Sequence, residues 1–290
     1  MTVDSKEKPT AGAGGLDAAG NGSGCVERPS GRGRESARSG LHGKLCERRR
    51  KKTEDRRKKK EDTFRTGSMN VGTMNTRSSE VVETAVKRGV DLVLLQETRR
   101  KGAESPAESR TQATWIKGKD SKYKFYWSGN PKGTNGVAIL LAEKWTKHVF
   151  EVQRPSDRII LLKLVIGKTV YVFLSVYAPQ AGIQDQAAKD RFYYLLNSVV
   201  ESIPPSEVLI PGGDWNGHVG STADGYEGVH GGFGYGKRNQ EGERILEFAV
   251  AHDLIIGNTL FMKRDSHLIT FDSGLSNPNS TQIDYFLFRV

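Results

Sequence analysis

VLIPGGDWNGHVG, residues 208–220, is the stretch whose reading decides the fold. Its first half is apolar up to Asp214 without polar alternation, the pattern of a strand buried on both faces. Its second half sets Asp214 and Asn216 among Gly212, Gly213 and Gly217, so a carboxylate and an amide stand where the strand gives way to a turn. LVLLQ at 92–96 repeats the theme, apolar throughout and followed by Glu97. An α/β body normally places its functional polar groups at such strand ends.

Outward from these two runs, the spacing predicts strands over Thr66–Val71, Asp91–Glu97, Lys124–Ser128, Gly136–Ala142, Ile159–Ile166, Thr169–Tyr177, Glu207–Asp214 and Thr281–Phe288. ILLKLVI and TVYVFLSVY are joined by Gly167-Lys168, a turn short enough to close antiparallel strands. Helices are predicted over Ser79–Arg88, Gln186–Ser202 and Gln240–His252. The third carries Ile245, Leu246, Ala249 and Val250 on one face, with Asn239 placed to cap it. Strands of both kinds interleaved with helices imply an α/β fold with a mixed sheet or a pair of packed sheets.

Residues 1–62 differ in kind. They are rich in Gly, Ser, Ala, Arg and Lys and hold no aromatic residue, so they are expected to form a disordered basic tail, with residues 63–290 as the globular domain. The tail has 17 Lys+Arg against 10 Asp+Glu, which puts +7 of the formal +10 there and leaves +3 in the body. Its charge peaks in two clusters, Arg48, Arg49, Arg50, Lys51, Lys52 and Arg56, Arg57, Lys58, Lys59, Lys60. These suit a nuclear-import signal or a phosphate-seeking arm, and a bare solvated charge run is the plain alternative. A nuclear location is therefore expected, a cytoplasmic one otherwise. Cys25 and Cys46 have no partners at metal-site spacing, so neither a disulfide core nor a zinc module is suggested. No apolar run is long enough for a membrane span, so no membrane partner is expected, and no obligate protein partner is evident.

Asn70, Glu97, Tyr177, Asp214, Asn216 and Asp284 all sit at or near strand ends. Any one alone reads as a cap, a turn residue or an amphipathic strand end. As a set, one Glu and one or two Asp with Asn as neutral helper are the hard oxygen ligands that Mg²⁺ (or Mn²⁺) bridging phosphate oxygens requires.

In chain order, NVGT, LLQET, SVYAP, GGDWN, TF and QIDYFLF resemble the endonuclease/exonuclease/phosphatase superfamily, which includes DNase I and the apurinic/apyrimidinic endonucleases. Within it, the wording is most similar to the endonuclease domains of RTE-type LINE retrotransposons and their host-derived relatives. The resemblance covers roughly residues 64–290 and implies a four-layer α/β sandwich of two mixed sheets flanked by helices. It also implies a Mg²⁺-dependent endonuclease acting on DNA. Glu97 would bind the metal with Asn70 beside it, Asp214 would position or deprotonate the attacking water, and Asn216 would hold that water or a phosphate oxygen. Tyr177 would meet the scissile phosphate. Gln180 stands where the abasic endonucleases carry Asn, which leaves its phosphate contact open. Thr270 would either bond near the phosphate or pack in its strand. Asp284 would orient a catalytic His.

In the family that His belongs to a Ser-Asp-His after the IDYFL motif, and the 290 residues contain none. The domain is expected to lack its last segment, with activity impaired. His218 is read as solvent-exposed, and His252 as a helix-end cation favoured by the macrodipole. Two other readings stay open: a phosphatase or RNase of the same fold, and a non-catalytic nuclear protein that binds DNA or chromatin through its tail.

Overall fold

The computed structural model describes Glu47 and residues 64–103, 112–182, 185–272 and 280–289. The basic clusters at Arg48–Lys52 and Arg56–Lys60, with the rest of the expected tail apart from Glu47, lie outside these residues. The chain divides into Met1–Asp62 and Thr63–Val290, and the second unit carries all the elements below.

Period-two geometry explains why LVLLQ has no polar face. Leu92–Gln96 (β2) sends Leu92 and Leu94 into one apolar cluster and Val93 and Leu95 into another. It is the second strand of a five-stranded sheet that also contains Thr66–Asn70 (β1), Ala113–Lys117 (β3), Lys122–Ser128 (β4) and Val137–Ala142 (β5), in the order β1-β2-β5-β4-β3. Only the β1–β2 pair in this sheet is parallel. Its outer face is covered by the helix Ser78–Arg88 (α1), through Val81, Val82 and Ala85.

The second sheet is built the same way from Val149–Ser156 (β6), Ile159–Ile166 (β7), Thr169–Tyr177 (β8), Val208–Asp214 (β9), Leu254–Ile256 (β10) and Asp284–Arg289 (β13, after the short pair Phe271–Asp272, β11, and Ser280–Thr281, β12). The order is β10-β13-β9-β8-β7-β6, with β8–β9 the parallel pair. Ile160, Leu162, Leu164 and Phe173 face Leu92, Leu94, Ile139 and Leu141 of the first sheet. Helices Gln186–Glu201 (α2) and Gln240–Ala251 (α3) cover the opposite face through Leu196, Val200, Ile245 and Leu246. The result is the expected four-layer α/β sandwich of two mixed sheets. Asn239 caps α3 as expected, its Oδ1 accepting from Gly242 N at 2.8 Å.

Two devices bring the strand ends into line. Gln96, fully buried between the sheets, donates to Ser175 Oγ at 3.1 Å and accepts from Ser68 Oγ at 3.3 Å, tying β1, β2 and β8 together. Gly213 then lets β9 lie hard against β8: its φ is 146°, and a Cβ there would sit 2.0 Å from Val176 O.

Several expectations need adjusting. The predicted strand Thr281–Phe288 is two pieces, because Thr281 pairs with Phe271 in the small ribbon while Thr270 Oγ1 takes the N–H groups of Ile283 and Asp284 at 3.0 and 3.2 Å. Strands β3, β6 and β10 were not anticipated. β6 carries Pro155, which an edge strand tolerates and a central one does not, and its register shifts between Gln153 and Ser156. Among the described residues no helix is long and apolar enough to cross a membrane.

Candidate active site

β1, β2, β8 and β9 run parallel in pairs, so the ends carrying Asn70, Glu97, Tyr177 and Asp214 arrive at one edge of the sandwich. There the side chains converge. Asn70 Nδ2 donates to Glu97 Oε1 at 3.1 Å and to Asp214 Oδ2 at 3.0 Å, bridging two carboxylates from different sheets. Its Oδ1 is held by Gly72 N at 3.0 Å, which fixes the amide's orientation. Tyr177 Oη donates to the same Glu97 Oε1 at 2.8 Å, and Arg99 Nη2 lies 3.5 Å from Oε2.

Asp214 is almost fully buried and accepts from Asn216 N at 3.0 Å. Asp284 is its register partner on β13. Burial raises the proton affinity of Asp214, whose pKa is pushed up to about 6 against the pull of Asn70 and Asn216. Burial and the charge of Asp214 together push Asp284 up to about 7. Asp284 Oδ1 is enclosed with no hydrogen-bond partner among the described residues. An enclosed carboxylate oxygen without a donor calls for a cation or an N–H donor to face it. Tyr177 is raised as well, by burial and then by Glu97, so it remains a neutral donor at physiological pH.

The backbone is strained where this chemistry gathers. Glu97, Arg99, Asn135 and Asn216 all have positive φ, at 54°, 51°, 57° and 49°. Non-glycine residues hold that conformation only where surrounding contacts impose it, and such positions concentrate at functional sites.

Other expected residues fall differently. Asn216 meets the site through its backbone N–H on Asp214, while its Nδ2 donates to Ala178 O at 2.8 Å and pins the loop after β8. Gln180 is exposed on the wall of a 350 Å³ cleft that is also lined by Glu97, Arg99, Asn135, Arg158 and Tyr177. Thr270 holds the Ile283 and Asp284 amides, so it positions the Asp284 backbone. His218 is half-buried, not solvent-exposed, and its amide serves the Asn239 cap at 2.9 Å. His252 is also corrected: it ends α3 with Nε2 2.8 Å from Asn197 Oδ1, but burial, and then the charge of Arg289, lower its proton affinity, the opposite of a helix-end cation.

Arg158 is the site residue that motif reading missed. Its guanidinium lies 4.9 Å from the Tyr177 ring centroid and donates to the carbonyls of Tyr177 and Ala178 at 3.2 and 3.3 Å and to Asn135 Oδ1 at 3.2 Å. The hairpin held the signal. With Ile166 opposite Thr169 across the two-residue turn, counting back puts Ile159 opposite Val176 and Arg158 beside Tyr177.

Residues 67–289 match the model of the endonuclease/exonuclease/phosphatase family. The chain belongs to this family. Its similarity to craniofacial development protein 2 of Bos taurus is 29% identity over 224 residues, covering 77% of this chain and 35% of that protein. The chain thus spans about a third of the length of that curated relative. In fold it resembles the endonuclease domain of TRAS1, a telomere-specific non-LTR retrotransposon (TM-score 0.53, 16% identity, 78% of this chain and 85% of that one). It likewise resembles the catalytic domain of Xenopus laevis APE2 (TM-score 0.55, 17% identity, 77% and 81%).

Family members generally use divalent metals. The donors here fit such an ion in kind: Glu97, Asp214 and Asp284 supply hard oxygens and Asn70 a neutral amide between them. Among the described residues, however, no three His, Cys, Asp or Glu groups stand close enough to form a ready-made metal cage. That suits an ion held by one or two carboxylates, with water and substrate completing its shell.

Proposed function

We propose that this chain is a Mg²⁺-dependent phosphodiesterase, a retrotransposon-derived DNA endonuclease. The observation that carries the reading is the Asn70 bridge, which holds Glu97 of one sheet and Asp214 of the other 3.1 and 3.0 Å from a single amide nitrogen. Glu97, with Asn70 beside it, would hold the ion, whose chemistry is to neutralise charge on the phosphate oxygens. Asp214 has the raised proton affinity of a group that accepts a proton from water near neutral pH. Asn216 Oδ1 would orient that water, and the Tyr177 hydroxyl, now on Glu97, would turn to a phosphate oxygen.

Asp284 is a positioning residue, and its enclosed Oδ1 suits an imidazole N–H. The 290 residues supply no Ser-Asp-His to meet it, so turnover is expected to be slow. The Arg48–Lys60 clusters would direct the protein to the nucleus; changing their ten Lys and Arg to Ser should disperse a fluorescent fusion through the cell, and undiminished nuclear enrichment would refute that role.

Incision of supercoiled plasmid tests the enzymatic reading. Slow nicking in Mg²⁺ that EDTA abolishes is expected. Appending a homologous segment that contains Ser-Asp-His should raise the rate by on the order of 10²-fold or more, and the same segment with His→Ala should not. Equal cutting by the two extended forms would mean the segment matters only for folding. Metal-independent cutting, or none by any form, would overturn the reading.

A further inference from the structure

A second cleft opens beside the first. It encloses about 450 Å³ and is lined by Asn75, Arg99, Arg100, Lys101, Trp127 and Lys132, sharing Arg99 and Gly133 with the reaction cleft. Among the described residues that line it, four are cationic and none is acidic. Arg99 is committed to Glu97, but among the described residues Arg100, Lys101 and Lys132 have no carboxylate partner.

The cleft is built, not a chance scatter of surface charge. Two loops that leave the same end of the sheet, after β2 and after β4, are fastened together: Gly102 N donates to Asn130 O at 2.8 Å, and the glycines approach so closely that a Cβ on Gly102 would lie 1.8 Å from Gly129 O. Asn130 ties its own loop, donating to Thr134 O at 2.9 Å and to Asp157 Oδ2 at 2.8 Å, which holds Lys132 at the tip. Trp127 Nε1 donates to Lys101 O at 3.0 Å, and its ring stacks on Phe125 at 5.5 Å to close the wall. Arg100 lies over Phe125 at 5.9 Å, and its Nε is enclosed with no acceptor among the described residues. A buried guanidinium N–H lacking an acceptor, among three further cations, asks for an anion with several oxygens.

We propose that this cleft binds a second phosphate of the same nucleic-acid strand, next to the one at Glu97. The inference rests on the phosphodiesterase reading and deepens it. A strand with phosphates at regular intervals fills both clefts, whereas a small phosphate ester fills only the first. The substrate is accordingly a polynucleotide, and Arg100, Lys101 and Lys132 determine that preference without touching the reacting atoms.

The test uses the full chain with the ten basic residues of Arg48–Lys60 changed to Ser, so that the tail does not mask the body. Arg100→Gln/Lys101→Gln/Lys132→Gln is compared with its parent for binding to a fluorescent DNA duplex in EDTA across a salt series. The triple change is expected to weaken binding at least tenfold and to reduce the slope of log affinity on log salt by about 0.9 for one lost phosphate contact. Lys101→Gln/Lys132→Gln, confined to exposed side chains, should show a smaller shift of the same sign if the triple variant misfolds. Hydrolysis of bis(p-nitrophenyl) phosphate in Mg²⁺ reads the first cleft alone and should be unchanged. Unaltered duplex affinity and salt slope in both variants would overturn the proposal. Absence of small-diester hydrolysis even from the parent carrying the appended Ser-Asp-His segment would instead count against the phosphodiesterase reading and leave the binding result to stand on its own.

Discussion

Asp214 and Asp284 are direct partners across the antiparallel β9–β13 pair, so two carboxylates from strands 70 residues apart in sequence share one desolvated spot. Burial does most to raise the proton affinity of both; the charge of Asp214 adds to it at Asp284, and that of Glu97 at Asp214. The sign for stability follows. Both acids have folded pKa values, about 6 and about 7, above the ordinary 3.8, so their contribution is fully present below about pH 3.8 and is lost as pH rises through 6 to 7. In EDTA, Asp284→Asn should therefore melt higher than the native chain at pH 8, by roughly 3 °C or more, with the gap narrowing at pH 5. A native chain that melts higher than the variant at pH 8 would show that the pair does not repel.

Glu97 receives Asn70 and Tyr177 on one oxygen and faces Arg99 with the other. Glu97→Gln keeps the shape and removes the charge that a divalent ion needs. Calorimetric titration with Mg²⁺ or Mn²⁺ should lose its signal while the melting temperature changes little, and an unchanged isotherm would remove Glu97 from the metal's shell.

Lys189 and Glu241 form a nearly buried ion pair at 2.6 Å between α2 and α3, and Lys189 also donates to Ala181 O at 3.2 Å in the loop that carries Gln180. Removing one partner strands the other charge, which typically costs about 3–5 kcal/mol, whereas replacing both by apolar residues is often close to neutral. Lys189→Met should lower stability to urea by that order, and Lys189→Met/Glu241→Leu should recover most of it. Similar losses in the single and double variants would mean that the loop contact, not the ion pair, matters.

Gly213→Ala places a methyl group 2.0 Å from Val176 O at a φ of 146°. The parallel β8–β9 pair would have to part, and with it the spacing of Tyr177 and Asp214. The chain is expected to be insoluble, or to lose more than about 4 kcal/mol in a denaturant melt. A near-native melt would show that the strands can yield.

Local signals account for what was readable along the chain. Strands β7 and β8, the Gly167-Lys168 turn and the Asn239 cap were read residue for residue, because apolar β-branched runs, a two-residue turn and a capping amide act within a few positions of each other. Edge strands such as β6 and β10 escaped, since they are short, half-buried or interrupted by Pro155 and owe their pairing to neighbours distant in sequence.

The same division holds at the site. Asn70, Glu97, Tyr177, Asp214 and Asp284 were visible because each stands at an end of a strand, with a carboxylate, amide or phenol where apolar runs stop. What each touches was not visible. The Asn70 bridge, the Asp214–Asp284 repulsion, the Arg158 brace on Tyr177 and the second cationic cleft join residues from 19 to 144 positions apart. The amino-acid sequence by itself determined which groups are available and which strands deliver them; only the packing of two sheets, which removes water and sets distances, decided which of them meet.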